Sequence, residues 1–181
     1  TQVGADSPAR DRIGQIAKAG HVARELVRQV LAFSGKPTGR KIVVDVDRIV
    51  RDVVSILESS IPEDVRVDLA LDGGSVCADP TQMKQLVMNL VVNAVEAISG
   101  PGRVTIRTGR TPPPPSGGAG LDQGHLLWTL EIEDTGPGIP AQVLGKIFDP
   151  LFTTKQGGRG LGLAAVAGVV RAHGGEITVE N

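Results

Sequence analysis

Residues 131–139, Glu131-Ile132-Glu133-Asp134-Thr135-Gly136-Pro137-Gly138-Ile139, place a carboxylate where an alternating strand gives way to a glycine turn. Downstream, Gly157-Gly158-Arg159-Gly160-Leu161-Gly162-Leu163 opens an apolar stretch of helical length that runs to His173. Glycine permits tight turns with positive φ and lets another group approach the backbone closely. Upstream, Asp79-Pro80 supplies an N-cap and a first-turn residue for a long helix reaching about Ile98. On that helix Gln85, Asn89, Asn93 and Glu96 fall within about 80° of one another, because each residue advances about 100°. Met83, Leu86, Val87, Leu90, Ala94 and Ile98 occupy much of the remaining circumference. A polar stripe on such a helix is either a solvated face or the wall of a site. Two asparagines at i and i+4 favour the wall, since Asn competes with the helix backbone and is a mediocre helix former.

The elements around these features alternate between strand and helix. Asp11–Ser34 has strong helical spacing and more apolar surface than a lone surface helix needs, so it should pack in a bundle or on another chain. Gly35, Pro37 and Gly39 break it. A helix is expected from Asp47 to Leu57 with Asp45 or Asp47 near its start, a strand at Val65–Leu71, a turn at Asp72-Gly73-Gly74 and a strand at Ser75–Ala78. Arg103–Thr108 and His125–Glu133 alternate as strands on either side of a proline- and glycine-rich loop, residues 111–124. Residues 139–159 read as loop with short helical pieces, Gly160–His173 as a helix and Glu176–Glu180 as a last strand. This pattern predicts an α/β fold: a two-layer sandwich with helices on one face of a mixed sheet, preceded by a single long helix.

Composition narrows the chemistry. With 181 residues the chain holds one domain and an appendage. Tyrosine is absent and there are three Phe and one Trp, so the core must be aliphatic. A formal net charge of −1, with no basic run and no aromatic platform, argues against nucleic acid as a partner. No segment is long and apolar enough to span a bilayer, and no signal peptide is present, so a cytoplasmic location with no membrane contact from this segment is expected, and a membrane anchor of a full-length protein stays open. The single Cys77 excludes an internal disulfide and is expected to be a small core residue.

The polar residues suit a purine nucleotide carrying a magnesium-bound triphosphate. Asparagine carbonyl oxygens are hard ligands for a magnesium held mainly by phosphates and water. A strand-end Asp can accept a hydrogen bond from an exocyclic amine. A glycine loop opening a helix exposes free backbone N–H groups that favour phosphate. The glycine loop lacks the Gly-Lys-Ser/Thr of a P-loop.

Asn89-Leu90-x-x-Asn93-Ala94, Asp134-x-Gly136-x-Gly138, Phe148-Asp149-Pro150-Leu151-Phe152-Thr153-Thr154-Lys155 and Gly158-x-Gly160-Leu161-Gly162-Leu163 occur in this order. Together they resemble the N, first glycine, F and second glycine boxes of the ATP-binding catalytic domain of sensor histidine kinases. The resemblance runs from about residue 11 to the end and implies ATP and Mg2+ as ligands. It makes Asn93 the magnesium ligand and Asn89 a phosphate or second-shell group. Asp134 would receive the adenine amino group, with Gly136, Gly138 and Ile139 completing that turn. Gly158, Gly160, Leu161 and Gly162 would face phosphate, and Lys155, on a lid, would meet the terminal phosphates. Phe148 and Phe152 are expected to pin the lid to the domain.

The resemblance also divides the chain into residues 1–36, the second helix of a dimerisation and phosphoacceptor hairpin, and residues 40–181, the ATP-binding catalytic domain. It implies a homodimer through the hairpin and a response-regulator receiver domain as partner. None of His21, His125 and His173 stands in the family's acceptor motif, so no catalytic acceptor is visible and the accepting histidine is expected outside this sequence. Two alternatives remain open: a non-catalytic nucleotide-gated interaction module, and an ATPase of the same superfamily. Superfamily ATPases carry a glutamate general base at the position of Asn89, and an amide cannot deprotonate water.

Overall fold

The computed structural model describes residues 40–112, 127–155 and 158–181. The helix expected at 11–34, the hairpin unit 1–36 and most of the proline-rich loop lie outside them, as do His21 and His125.

Strand β1 (Ile42–Asp45) leads into helix α1 (Val46–Leu57) and a single 3-10 turn, Glu58–Ser60. β2 (Val65–Leu71) and β3 (Ser75–Ala78) follow, then the long helix α2 (Pro80–Ala97), β4 (Gly102–Thr111) and β5 (Leu127–Asp134). A one-turn helix α3 (Ala141–Leu144) and helix α4 (Gly162–Ala172) complete the described elements. The starts of α1 and α2 match their sequence signals. The Asp45 carboxylate accepts from Arg48 N, and Asp79 accepts from Thr81 N and Gln82 N with Pro80 in the first turn. No described helix is long and apolar enough to cross a membrane.

A three-stranded sheet has the order β2-β4-β5. β2 and β4 are parallel, from Val65 opposite Gly102 to Leu71 opposite Thr108, and α2 supplies the crossover that parallel pairing requires. β4 and β5 are antiparallel, from Val104 opposite Asp134 to Thr111 opposite Leu127. Alternation then sorts the side chains. Val104, Ile106 and Thr108 of the central strand are buried under the helices. Val104 and Ile106 meet Val46, Val50 and Val53 of α1, Val87 and Val91 of α2, and Val166 and Val169 of α4 in one core. The opposite face carries charge. Arg107 donates to Glu131 (2.5 Å) and Glu133 (2.9 Å), while Arg66 and Arg103 both reach Asp68. The Arg107 pKa is raised, chiefly by its hydrogen bond to Glu133, with lost hydration opposing and Glu131 assisting. The helices therefore lie on one face of a mixed sheet, as the alternation predicts.

The turn Asp72-Gly73-Gly74 joins β2 and β3 at the expected places, and β3 pairs antiparallel with β1, Ile42 opposite Ala78. The Asp47 carboxylate holds that turn: it accepts from Gly73 N (3.3 Å), Gly74 N (3.5 Å) and the Thr108 hydroxyl (2.6 Å), and Val46 N donates to Gly74 O. Gly73 also lies directly beneath the Trp128 indole, whose buried N–H has no hydrogen-bond partner among the described residues. Two local expectations need correction. Cys77 is exposed, because Val76 and Ala78 take the inward positions of β3. Residues 176–180 form no ladder. Asn181 instead reaches Ile139 through its side chain, accepting from Ile139 N (2.9 Å) and donating to Ile139 O (2.5 Å).

Helix α4 runs antiparallel to α2 and is tied to it at its end. His173 accepts from Asp79 N through Nε2 (3.1 Å) and contacts Val169 O through Nδ1 (2.8 Å), which assigns a neutral ring protonated at Nδ1. Asp79 thus caps α2 with its carboxylate and receives α4 with its backbone. Asp79→Ala should cost about 1–2 kcal/mol. The expected result is a lower urea midpoint at unchanged slope; a midpoint equal to the parent's would show that the cap is dispensable.

Candidate functional site

The polar stripe of α2 faces the start of α4. Gln85 donates to the Asn89 carbonyl (2.9 Å), and Asn89 Nδ2 donates to Gly162 O (3.2 Å). One helical turn further, Asn93 lies beside the same glycine: a Cβ added at Gly162 would stand 3.5 Å from Asn93 Nδ2. Asn89 therefore holds the second glycine box against α2, and Asn93 is left with its oxygen turned toward the lid. Lys155 Nζ lies 3.4 Å from that oxygen and 2.6 Å from Glu96 Oε2.

The first residues of α4 carry no side-chain cap, so their N–H groups are not claimed by a side chain of the helix terminus. Gly160 has φ +63°, and its carbonyl accepts from Leu151 N (2.8 Å). A Cβ there would stand 2.5 Å from the Phe152 carbonyl oxygen, so only glycine lets the lid backbone seat against this turn. Leu151 itself has φ +68° and is largely exposed. Gly158 N donates to Lys155 O (3.1 Å), and Leu161 is buried. In this segment Ile147 is buried and Phe148 and Phe152 are half-buried.

Asp134 stands at the end of β5 with an exposed carboxylate. Its Oδ1 accepts from Gly136 N (2.8 Å), which closes the turn and leaves the second oxygen free of any protein donor among the described residues. Thr135 ties this turn to β4: its N–H donates to Arg103 O, and its hydroxyl accepts from Arg103 N. A Cβ at Gly136 would stand 3.0 Å from Ala97 O, so the turn lies against the C-terminal end of α2. Gly138 has φ +73°, and Ile139 is held by Asn181. The fold thus gathers Asn89, Asn93, Lys155 and Gly162 in one cluster, and sets the Asp134–Gly136 turn nearby, against the C-terminal end of the same helix, with Gly138 and Ile139 following. Glu96 and Asn181 enter the surroundings as well; Glu96 was visible on the polar stripe, whereas no sequence signal pointed to Asn181.

Among the described residues no group of three or more His, Cys, Asp or Glu is arranged to hold a metal ion. The donor set fits a magnesium that arrives with phosphate ligands and takes one neutral oxygen from the protein.

The family described as histidine kinase-, DNA gyrase B- and HSP90-like ATPase matches residues 78–181, more than half of the chain, and the chain belongs to it. Its relatives include the sensor kinase CckA of Brucella abortus (strain 2308), 39% identical over 96% of this chain. They also include the sensory histidine kinase/phosphatase NtrB of Rhizobium leguminosarum bv. phaseoli, 33% identical over 86%. The chain spans 19% and 42% of the lengths of those two proteins. Among solved structures, the catalytic domain of histidine kinase ThkA superposes with a TM-score of 0.64 at 28% identity, covering 79% of this chain and 88% of that one. The mycobacterial sensor histidine kinase MprB superposes with a TM-score of 0.60 at 28% identity, covering 74% and 80%. The domain is thus of the ATP-binding catalytic type found in sensor histidine kinases.

Gly160→Ala should unseat the lid. An alanine at positive φ alone costs about 1–2 kcal/mol, and the Cβ also meets the lid carbonyl. Faster hydrogen exchange over residues 147–155, with α1 and β4 unchanged, is the expected result; unchanged exchange in the lid would show that the Gly160–Leu151 seat is not what holds it.

Proposed function

We propose that this chain binds ATP with magnesium between α2, the turn after β5, the lid and the start of α4. In the whole protein it would deliver the γ-phosphoryl group to a histidine of a dimerisation hairpin, for relay to an aspartate of a response-regulator receiver domain. The cytoplasm, where ATP is available, is the compartment that suits this role. The observation that carries the proposal is the meeting at Asn93 of the polar helix stripe, the lid lysine and the second glycine box.

The residues divide the work. The free Asp134 oxygen accepts from the adenine amino group and reads adenine against guanine. Gly136, Gly138 and Ile139 keep the base-side backbone low. Asn93 would hold the magnesium, whose chemistry is to neutralise phosphate charge. The uncapped N–H groups at the start of α4 bind phosphate oxygens, with Gly158, Gly160 and Leu161 shaping the approach. Lys155 meets the terminal phosphate. Phosphoryl transfer needs positioning and charge neutralisation more than covalent chemistry from the protein, and these groups supply both.

Asn89 disfavours the ATPase alternative. It stands where the related ATPases place a glutamate base, and both ends of its amide are engaged, by Gln85 and Gly162. Among the described residues His173 is the one histidine, and both of its ring nitrogens are occupied, by Asp79 N and Val169 O.

Asp134→Ala should lower adenine-nucleotide affinity at least tenfold, about 1.4 kcal/mol. Calorimetric titration with ATP and magnesium measures it, and affinity equal to the parent's would remove the adenine-reading role. Incubation of the chain with γ-labelled ATP is expected to leave no acid-labile, alkali-stable label. Stoichiometric label of that kind, abolished by His21→Ala, would place the acceptor within this sequence instead. Phosphate release at a rate typical of an efficient ATPase would favour the hydrolytic alternative.

A further inference from the structure

Glu96 has no part in the assignments above, yet among the described residues it makes the shorter of the two hydrogen bonds that tie Lys155 to α2. Its Oε2 lies 2.6 Å from Lys155 Nζ, and the same ammonium stands 3.4 Å from Asn93 Oδ1. Lys155 and Glu96 side chains are 40% and 54% exposed. At such exposure an ion pair is screened and worth little, so it can exchange partners cheaply. The geometry also sets a conflict. Magnesium binds oxygen at about 2.0–2.1 Å. A dication on Asn93 Oδ1 would thus stand close to an ammonium that already faces the same atom. Lys155 must then draw away from Asn93, and two anions compete for it: the Glu96 carboxylate on the helix and the terminal phosphate of the nucleotide.

We propose that Glu96 is a positioning residue that acts through Lys155. It holds the lid lysine on α2 in the absence of nucleotide and makes lid rearrangement depend on the terminal phosphate, so that the site distinguishes a nucleoside triphosphate from a diphosphate. This inference rests on the ATP site proposed above. The carboxylate sits three residues, just under one turn, beyond Asn93, which puts it on the same side of α2. A triphosphate brings a competing dianionic end group to Lys155, whereas a diphosphate ends one phosphoryl group short of it. Glu96 thereby sets a threshold that only the longer ligand passes.

The test combines Glu96→Gln and Lys155→Met singly and together, with titrations of ATP·Mg and ADP·Mg and hydrogen exchange of the lid in nucleotide-free protein. Glu96→Gln should tighten ATP·Mg roughly twofold to fivefold, the scale of an exposed ion pair, and change ADP·Mg by under about twofold. In the Lys155→Met background the gain should vanish. Without nucleotide, Glu96→Gln should speed exchange over residues 147–155. An unchanged or weaker ATP·Mg affinity in Glu96→Gln would overturn the proposal, the weaker case pointing to Glu96 as a metal ligand. An equal gain in both backgrounds would overturn it in favour of plain repulsion between carboxylate and phosphate. If the parent chain bound no ATP·Mg, the ATP site would fail, while exchange in the nucleotide-free lid would still decide whether Glu96 holds Lys155.

Discussion

Two hydrogen bonds between α2 and α4 hold the fold and the site together. Asn89 Nδ2 donates to Gly162 O near the start of α4, and His173 Nε2 accepts from Asp79 N at its end. Between these points α4 is buried from Ala164 to Val169, with side chains no larger than valine. Small residues bring the helix axes close, and van der Waals packing alone would leave sliding along the axis weakly resisted. The two polar bonds remove that freedom. They fix which residue of the glycine box stands beside Asn93, and so where any phosphate bound at the start of α4 would lie relative to the Asn93 carbonyl oxygen.

The aliphatic core supports the same geometry from below. Val104 and Ile106 on the central strand are fully covered, and each such side chain removed from water contributes about 1.5–3 kcal/mol. Their cover is α1, α2 and α4, so the helix carrying the asparagines cannot shift without opening the core. The other sheet face is finished differently. Its arginines and carboxylates satisfy one another across strands, which lets that face meet water and leaves the helical side as the place where a cleft can form.

Much of this was legible in the sequence because each signal is local. Asp79-Pro80 marks the start of α2, alternation marks β2, β4 and β5, and the glycine boxes mark turns whose positive φ values at Gly138 and Gly160 are observed. What escaped depends on contacts between distant residues. β1 is four residues long, half of them exposed apolar side chains, so no periodicity could reveal it. The β1–β3 pairing follows from Asp47 seizing the amides of Gly73 and Gly74, a contact 26 residues apart in sequence. Cys77 misled by residue type: thiols are commonly buried, but here the strand's two-residue period turns it outward. In the site, helical spacing put Asn89 and Asn93 on one polar stripe and the family resemblance pointed to Lys155, whereas the pairing of Lys155 with Glu96 joins residues 59 apart and belongs to the tertiary fold.

The lone tryptophan has a further consequence. With no tyrosine in the chain, ultraviolet emission comes almost wholly from Trp128. That indole packs over Gly73 at the Arg110 end of β5, six residues from Asp134. At about 3.3 Å per residue it lies about 20 Å along the strand from the Asp134 carboxylate. Its spectrum therefore reports on the seam between the sheet and the β2–β3 turn, and is nearly blind to events at the cleft. Emission and ligand titration observe separate ends of one rigid strand, so a ligand-induced change in Trp128 colour would signal motion transmitted through the sheet itself.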